Sequence, residues 1–257
     1  MGWGDHIMML GEAETHFRET GQKTYLPKVT GEGEQSMGHN CDEFLTNTKL
    51  GAHTIPTDYS TMYMAGRHDK FATHLQYKPY QPIPFALRPT DREVKRVGKI
   101  VADLPEKFLA LCPDTKTSFY PGKNWGEGKW EELTERISSQ IPTVRFHNEP
   151  YNVGNLINVP TTSVREAFLC AGRASLSCAY EGGFIHATTG MGVKGVVIWG
   201  GIAGPDIVGY KSNRNIFIDH PQTPCGSKVE CEHCVEVNAA ITVDMVVDAV
   251  LEEWSKL

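Results

Sequence analysis

The densest chemistry in the sequence lies near its end, as Cys225-x5-Cys231-x2-Cys234, with His233 inside the run and His220 just upstream. Thiolates and an imidazole at this spacing can wrap a zinc or iron ion. Only three cysteines are local, so a closed four-ligand site needs His233 or His220 as its fourth ligand. The competing reading is a turn-rich loop of reduced thiols. A second constellation is Tyr180-Glu181-Gly182-Gly183-Phe184-Ile185-His186. A glycine pair that joins a strand to a helix lets backbone approach a ligand closely. The helix N-terminus adds N–H groups and a positive dipole end, the makings of a diphosphate cradle. His186, one turn in, is placed to add a donor to the same phosphate, or else to pack against the turn. Nine of the 25 glycines fall between Gly182 and Gly209, at the ends of predicted strands.

Three further groups are candidates. Lys123 is a candidate phosphate cation or a solvated loop lysine. Thr115, Lys116 and Thr117 follow a predicted strand, where open α/β sheets bind ligands. Asp5 is either a general base or a helix cap. Tyr210 and Lys211 are weaker candidates, and Trp125 and Trp130 read as packing residues.

The elements that must hold these groups follow from periodicity. Residues 6–20 carry Ile7, Leu10, Ala13 and Phe17 at helical spacing, and Gly21 stops the run. Proline punctuation at Pro79, Pro82, Pro84 and Pro89 marks a boundary, dividing the chain into 1–88 and 89–257. Beyond it, predicted strands at 108–112, 143–146, 174–179 and 195–199 alternate with amphipathic or helical segments at 91–101, 130–141, 163–172 and 182–191. Ser163 and Glu166 suggest a capping box. Alternation of this kind argues for βαβ units and a parallel sheet. The apolar-faced helix 241–257 is expected to pack back on the N-terminal part.

Composition narrows the function classes. The 257-residue chain has a net charge of -6, 40% hydrophobic and 22% charged residues, an ordinary globular profile. The acidic balance disfavours a general phosphate-neutralising nucleic-acid binder. No run of about 18 apolar residues supplies a membrane span, and no signal peptide is visible. Seven cysteines, an odd number, fit a reducing cytoplasm better than a disulfide scaffold. No G-x-G-x-x-G follows an early strand, which disfavours a dehydrogenase.

The string Glu181-Gly182-Gly183-Phe184-Ile185-His186-Ala187, then Gly192-Val193 and Val196-Val197-Ile198-Trp199-Gly200-Gly201, resembles the donor-site motif of glycosyltransferase family 9, the heptosyltransferase-like enzymes. Lys123-Asn124-Trp125 followed by Trp130 and Leu133 resembles that family's Lys-x-Trp…Trp-x-x-Leu segment. Gly4-Asp5 resembles its Gly-Asp loop, and the late cysteines resemble loops of iron-containing protein heptosyltransferases. The likeness runs over 108–254 and is thin over 1–90.

The resemblance implies an α/β, GT-B-like fold with two Rossmann-like domains. Here it implies a reduced N-terminal acceptor domain and a C-terminal parallel-sheet donor domain. It implies an inverting transfer from a nucleotide-diphosphate sugar to an acceptor hydroxyl, with no metal needed for catalysis. Asp5 would be the base. Lys123, Gly182, Gly183 and His186 would hold the diphosphate, with Glu181 on ribose or sugar hydroxyls. Zinc or iron at Cys225, Cys231, Cys234 and His233 would be structural. The sequence departs from the family in lacking a hydrophobic strand ahead of Gly4-Asp5. The acceptor stays open among glycan, protein and nucleic acid, and the compact chain leaves room for a phage-type enzyme. The histidine- and tyrosine-rich segment 53–85 is either an acceptor face or a small-domain surface. The alternatives are a sugar-nucleotide epimerase or hydrolase of the same plan, and a non-enzymatic metal-stapled binding module.

Overall fold

In the sheet at the centre of the molecule, alternate side chains face opposite layers of helices. The computed structural model describes residues 2–22, 25–27, 51–53, 74–114 and 121–257. Two short strands, β1 (Tyr25–Pro27) and β2 (Gly51–His53), form a separate parallel pair. The main sheet has six parallel strands: β3 (Leu109–Cys112), β4 (Thr143–Phe146), β5 (Ile157–Val159), β6 (Leu176–Tyr180), β7 (Gly195–Ile198) and β8 (Arg214–Ile216). Their order is β5-β4-β3-β6-β7-β8, the doubly wound arrangement with its reversal between β3 and β6. The register across that reversal runs Leu109↔Leu176 to Cys112↔Ala179.

The helices are α1 (Trp3–Thr20), α2 (Asp91–Val101), α3 (Glu127–Ser138), α4 (Val164–Ala171), α5 (Gly183–Gly190), α6 (Pro205–Val208), α7 (Glu232–Ala240) and α8 (Val243–Trp254). Leu109, Leu111, Leu176, Cys178, Val196 and Ile198 face α3 and α8 and form one core with Trp125, Trp130, Val237 and Val246. Ala110 and Val144 turn to the other face, where α1, α2, α4 and α5 pack. Period-two alternation over strands buried on both sides produces these two layers.

Local chemistry sets the helix ends. Thr90 and Glu93 close a capping box at the start of α2. Ser163 caps α4 through the Glu166 amide at 3.1 Å. The Glu166 carboxylate does not close the expected box: it accepts from the Thr162 amide at 2.7 Å and pairs with Arg96.

The apolar faces of the first and last helices set where each packs. The last helix, α8, packs on the sheet beside α3, because Val246, Val247 and Val250 recur on the face that meets Val196 and Ile198. From the N-terminal part, α1 packs across: Ile7, Leu10 and Ala13 share a core with Phe85, Leu87, Val97 and Ala187. These contacts of α1 lie on both sides of residue 88. Tyr80 donates to Glu12 at 2.9 Å and Arg88 pairs with Glu14, fastening α1 to the 79–89 segment.

Candidate functional site

In doubly wound sheets the ligand crevice lies outside the carboxyl ends of the strands where the order reverses. Here that is the end of β3 and β6. Glu181 and Gly182 follow β6 directly, and α5 starts at Gly183. A 3-10 turn, Pro121–Lys123, lies beside them. Lys123 and Glu181 form an ion pair whose side chains are 19% and 7% exposed. Tyr180, at the end of β6, donates to Asn238 Oδ1 at 3.1 Å and lies 3.4 Å from the Gly122 carbonyl. Asn238 Nδ2 donates to that carbonyl at 2.6 Å. The turn that carries Lys123 is thus fastened to β6 and to α7.

Glycine is required where α1 meets α5. Gly182 has φ +154, which L side chains rarely adopt. A Cβ on Gly183 would stand 2.6 Å from Trp3 Cβ and 3.1 Å from the Gly4 amide nitrogen. A Cβ on Gly4 would stand 2.8 Å from the His186 ring. The N-termini of two helices therefore converge, and their dipoles add positive potential to the same region. Asp5 occupies the third position of α1 and accepts from the Gly2 amide at 2.7 Å, so it complements that helix end. It also acts electrostatically on His186.

His186 is placed beneath this contact, not on an open surface. It is 4% exposed, and its Nδ1 lies 2.8 Å from the Tyr210 hydroxyl. Burial pushes its pKa down to about 4, against the upward pull of Glu181 and Asp5 and with a further push from Lys123. The imidazole is neutral at pH 7. Tyr210, a weak candidate in the sequence, is its partner, and the Tyr210 hydroxyl is itself pushed up by burial.

The cysteine run folds as a cluster. Ligand atoms of Cys225, Cys231, His233 and Cys234 all lie within 4.8 Å of one another. Cys225 Sγ is 3.9 Å from Cys231 Sγ and 3.4 Å from Cys234 Sγ, and Cys231 Sγ is 3.4 Å from His233 Nε2. Thiolates around a tetrahedral zinc, with bonds of about 2.3 Å, stand about 3.8 Å apart. The residues fit such an ion. Cys231 stands at the N-cap position of α7, and His233 and Cys234 lie in its first turn. The Cys225 thiol is held low, chiefly by a hydrogen bond from Cys234. His220 stacks on His233 with ring centroids 6.1 Å apart, so His233 joins the cluster and His220 supports it. By contrast, burial pushes the thiols of Cys170 and Cys178 up to about 12, as expected of inert core cysteines, and the half-buried Cys112 at the end of β3 is pushed up likewise.

Trp125 and Trp130 are buried packing residues in edge contact at 5.1 Å. Trp125 Nε1 donates to the Ile241 carbonyl at 2.9 Å, and Lys129 Nζ reaches the carbonyls of Asn238, Ala239 and Ile241, satisfying the end of α7. Lys211 is exposed. Thr115, Lys116 and Thr117 lie outside the described residues, as do the side chains of His53, Tyr59, Tyr63, Arg67 and His68. Sequence reasoning missed Asn238 and the helix that carries it, because a cysteine-rich run with an adjacent glycine turn reads as loop.

The fold is similar to that of ADP-heptose LPS heptosyltransferase II from E. coli, with a TM-score of 0.50 and 15% identity over 66% of this chain and 54% of that one. The architecture is GT-B-like. Also similar are a family 9 glycosyltransferase from Veillonella parvula (TM-score 0.49, 13% identity, 83% of this chain and 66% of that one) and the iron-containing dodecameric glycosyltransferase TibC from enterotoxigenic E. coli (0.47, 12%, 60% and 46%). The chain spans about half the length of the heptosyltransferase it matches. No protein-family model matches the chain, and no curated protein matches its sequence. No helix among the described residues is long and apolar enough to cross a membrane.

Proposed function

We propose that the chain is a glycosyltransferase that moves a sugar from a nucleotide-diphosphate donor to an acceptor hydroxyl, with inversion and without a catalytic metal. The observation that carries this reading is the grouping at the strand reversal: Lys123, Glu181 and the start of α5 lie together, with Asp5 and the start of α1 against them. The similarity in fold to a heptosyltransferase supports it.

In this reading the donor diphosphate lies along the Gly182–Gly183 turn. Lys123 exchanges part of its pairing with Glu181 for the phosphates, and Glu181 turns to ribose or sugar hydroxyls. Asp5 removes the proton from the acceptor hydroxyl as its oxygen bonds to the anomeric carbon. The bond from that carbon to the phosphate oxygen breaks, and the nucleoside diphosphate leaves with the electron pair. Its charge is met by Lys123 and the two helix N-termini. His186, neutral and bonded to Tyr210, holds the α1–α5 contact that brings Asp5 to this place. Lys116 and Thr115 are proposed as donor-lining residues.

The Cys225, Cys231, His233 and Cys234 set would hold zinc or iron as a structural cross-link. The unpaired core thiols fit a cytoplasmic setting. The division at residue 88 is proposed as the border between acceptor and donor parts.

Titration calorimetry against a panel of nucleoside diphosphate sugars tests the donor site. Lys123→Ala should weaken binding by about ten- to a hundred-fold, the value of a charge-assisted contact. If no such donor binds, or if Lys123→Ala leaves affinity unchanged, the reading fails. Asp5→Asn should bind donor normally and lose transfer; retained transfer removes Asp5 as the base. Release of free sugar and nucleotide with acceptor unmodified would favour a hydrolase instead.

A further inference from the structure

The cysteine cluster and the lysine turn are in direct contact. A Cβ on Gly122 would stand 3.0 Å from Cys234 Cβ and 3.1 Å from Cys234 Sγ. A Cβ on Gly201, in the loop after β7, would stand 3.0 Å from the same sulfur. Cys234 is fully buried between these two glycines. One turn further along α7, Asn238 donates to the Gly122 carbonyl at 2.6 Å and accepts from Tyr180. The Lys123 turn is short, three residues, and its internal hydrogen bond is the Asn124 amide to the Pro121 carbonyl at 3.1 Å. A single 3-10 turn of that length is weak alone and takes its order from what packs on it. What packs on it here is α7.

The other half of the cluster is tied elsewhere. The Cys225 amide donates to the Gly201 carbonyl and the Gly226 amide to the Ile202 carbonyl, each at 2.9 Å, so Cys225, in the segment after β8, is tied to the loop after β7. Cys231, His233 and Cys234 belong to the start of α7. An ion shared by all four would join that loop to α7.

We propose that metal occupancy at Cys225, Cys231, His233 and Cys234 controls the order of the Pro121–Lys123 turn, and through it the affinity of the crevice for a nucleoside diphosphate. The ion seats α7 against the loop after β7. Cys234 and Asn238 then hold Gly122, which sets where Lys123 stands beside Glu181. Asn238 and Cys234 are positioning residues for Lys123, and the ion takes no part in bond making. The effect on affinity rests on the donor-site reading above; the effect on the turn does not.

The experiment uses the full chain loaded with zinc or ferrous iron, compared with chain stripped by a chelator, with metal content measured in both. Hydrogen–deuterium exchange at the amides of residues 122–125 is the first readout, with β4 as the internal reference. The second is calorimetric binding of ADP and UDP. Stripping should speed exchange at 122–125 while β4 is unchanged. It should also weaken nucleotide binding by about ten-fold, as expected if the competent turn falls to a tenth of the population. Asn238→Ala should keep its metal yet show the same faster exchange, which separates the link from general unfolding. Lys123→Ala should weaken binding in the loaded protein and add little in the stripped one. The proposal is overturned if the chain retains no stoichiometric metal. It is also overturned if stripped and loaded forms exchange alike at 122–125, or if Asn238→Ala exchanges as the loaded wild type does. If exchange responds as expected but neither nucleotide nor any donor sugar binds, the control of the turn stands and the donor-site reading fails.

Discussion

Two glycine contacts flank the crevice, and they are built differently. At one, Gly4 and Gly183 let the ends of α1 and α5 touch backbone to backbone, over a buried neutral histidine. At the other, Gly122 and Gly201 close on the sulfur of Cys234, within a cluster that has the spacing of a tetrahedral metal site. The first contact depends on shape and on keeping a charge out of the interior. The second is reinforced by side-chain hydrogen bonds and can be reinforced again by an ion. Glycine marks close approach at both, yet what it approaches decides how the contact responds to pH, to chelators and to substitution.

Gly183→Ala would meet Trp3 Cβ, fixed to the α1 backbone, at 2.6 Å and the Gly4 amide nitrogen at 3.1 Å, and should destabilise the protein by about 3 kcal/mol in urea unfolding, the upper end for overpacking. It should also displace Asp5.

A change of pH should act on the same contact through His186. Because the pKa of His186 is lowered from 6.5 to about 4 by burial, its contribution is fully present above pH 6.5 and is lost as pH falls toward 4. The loss should approach about 3 kcal/mol, at 1.36 kcal/mol per unit. His186→Gln should flatten that acid limb of stability between pH 6.5 and 4; a wild-type profile flat over this window would show that the imidazole is not buried as described.

Gly122→Ala meets a side chain held in a cluster and should cost about 2 kcal/mol. Unlike Gly183→Ala, it should lower the metal retained after dialysis, measured by elemental analysis. Equal metal retention would separate the turn from the cluster.

The smallest effect has the opposite sign. Gly98 lies inside α2 with nothing within 4 Å of an added Cβ, so Gly98→Ala should stabilise by about 0.5–1 kcal/mol, seen as a raised melting temperature. It is the control that glycine itself is not the cause of the other losses.

The sheet was legible where strands are apolar and bounded. The runs at 108–112, 143–146 and 195–199 match β3, β4 and β7 within a residue or so; for β3 and β7 burial on both faces demands continuous apolar sequence. The edge strands β5 and β8 were not legible. Each has three residues, and Arg214-Asn215-Ile216 carries no strand signal of its own; pairing with β7 makes it a strand. Helix α7 was hidden for a related reason. Its cysteines and histidine satisfy a cluster, and its apolar content is limited to residues such as Val237.

Sequence alone determined the parallel α/β sheet, the glycine-rich turn into α5 and the composition of the cysteine cluster, because each depends on local periodicity or on residue type. It also named Lys123, Glu181, His186 and Asp5 as groups of interest. Tertiary structure decided what each one touches. It paired Lys123 with Glu181, buried His186 against Tyr210 and Gly4, and put Asp5 at the end of a helix. It also set Asn238 between the cysteines and the lysine turn. These relations join residues as far apart as Gly4 and Gly183 or Gly122 and Asn238. No local pattern encodes them, since they arise only when two helices and a turn converge on one reversal in the sheet.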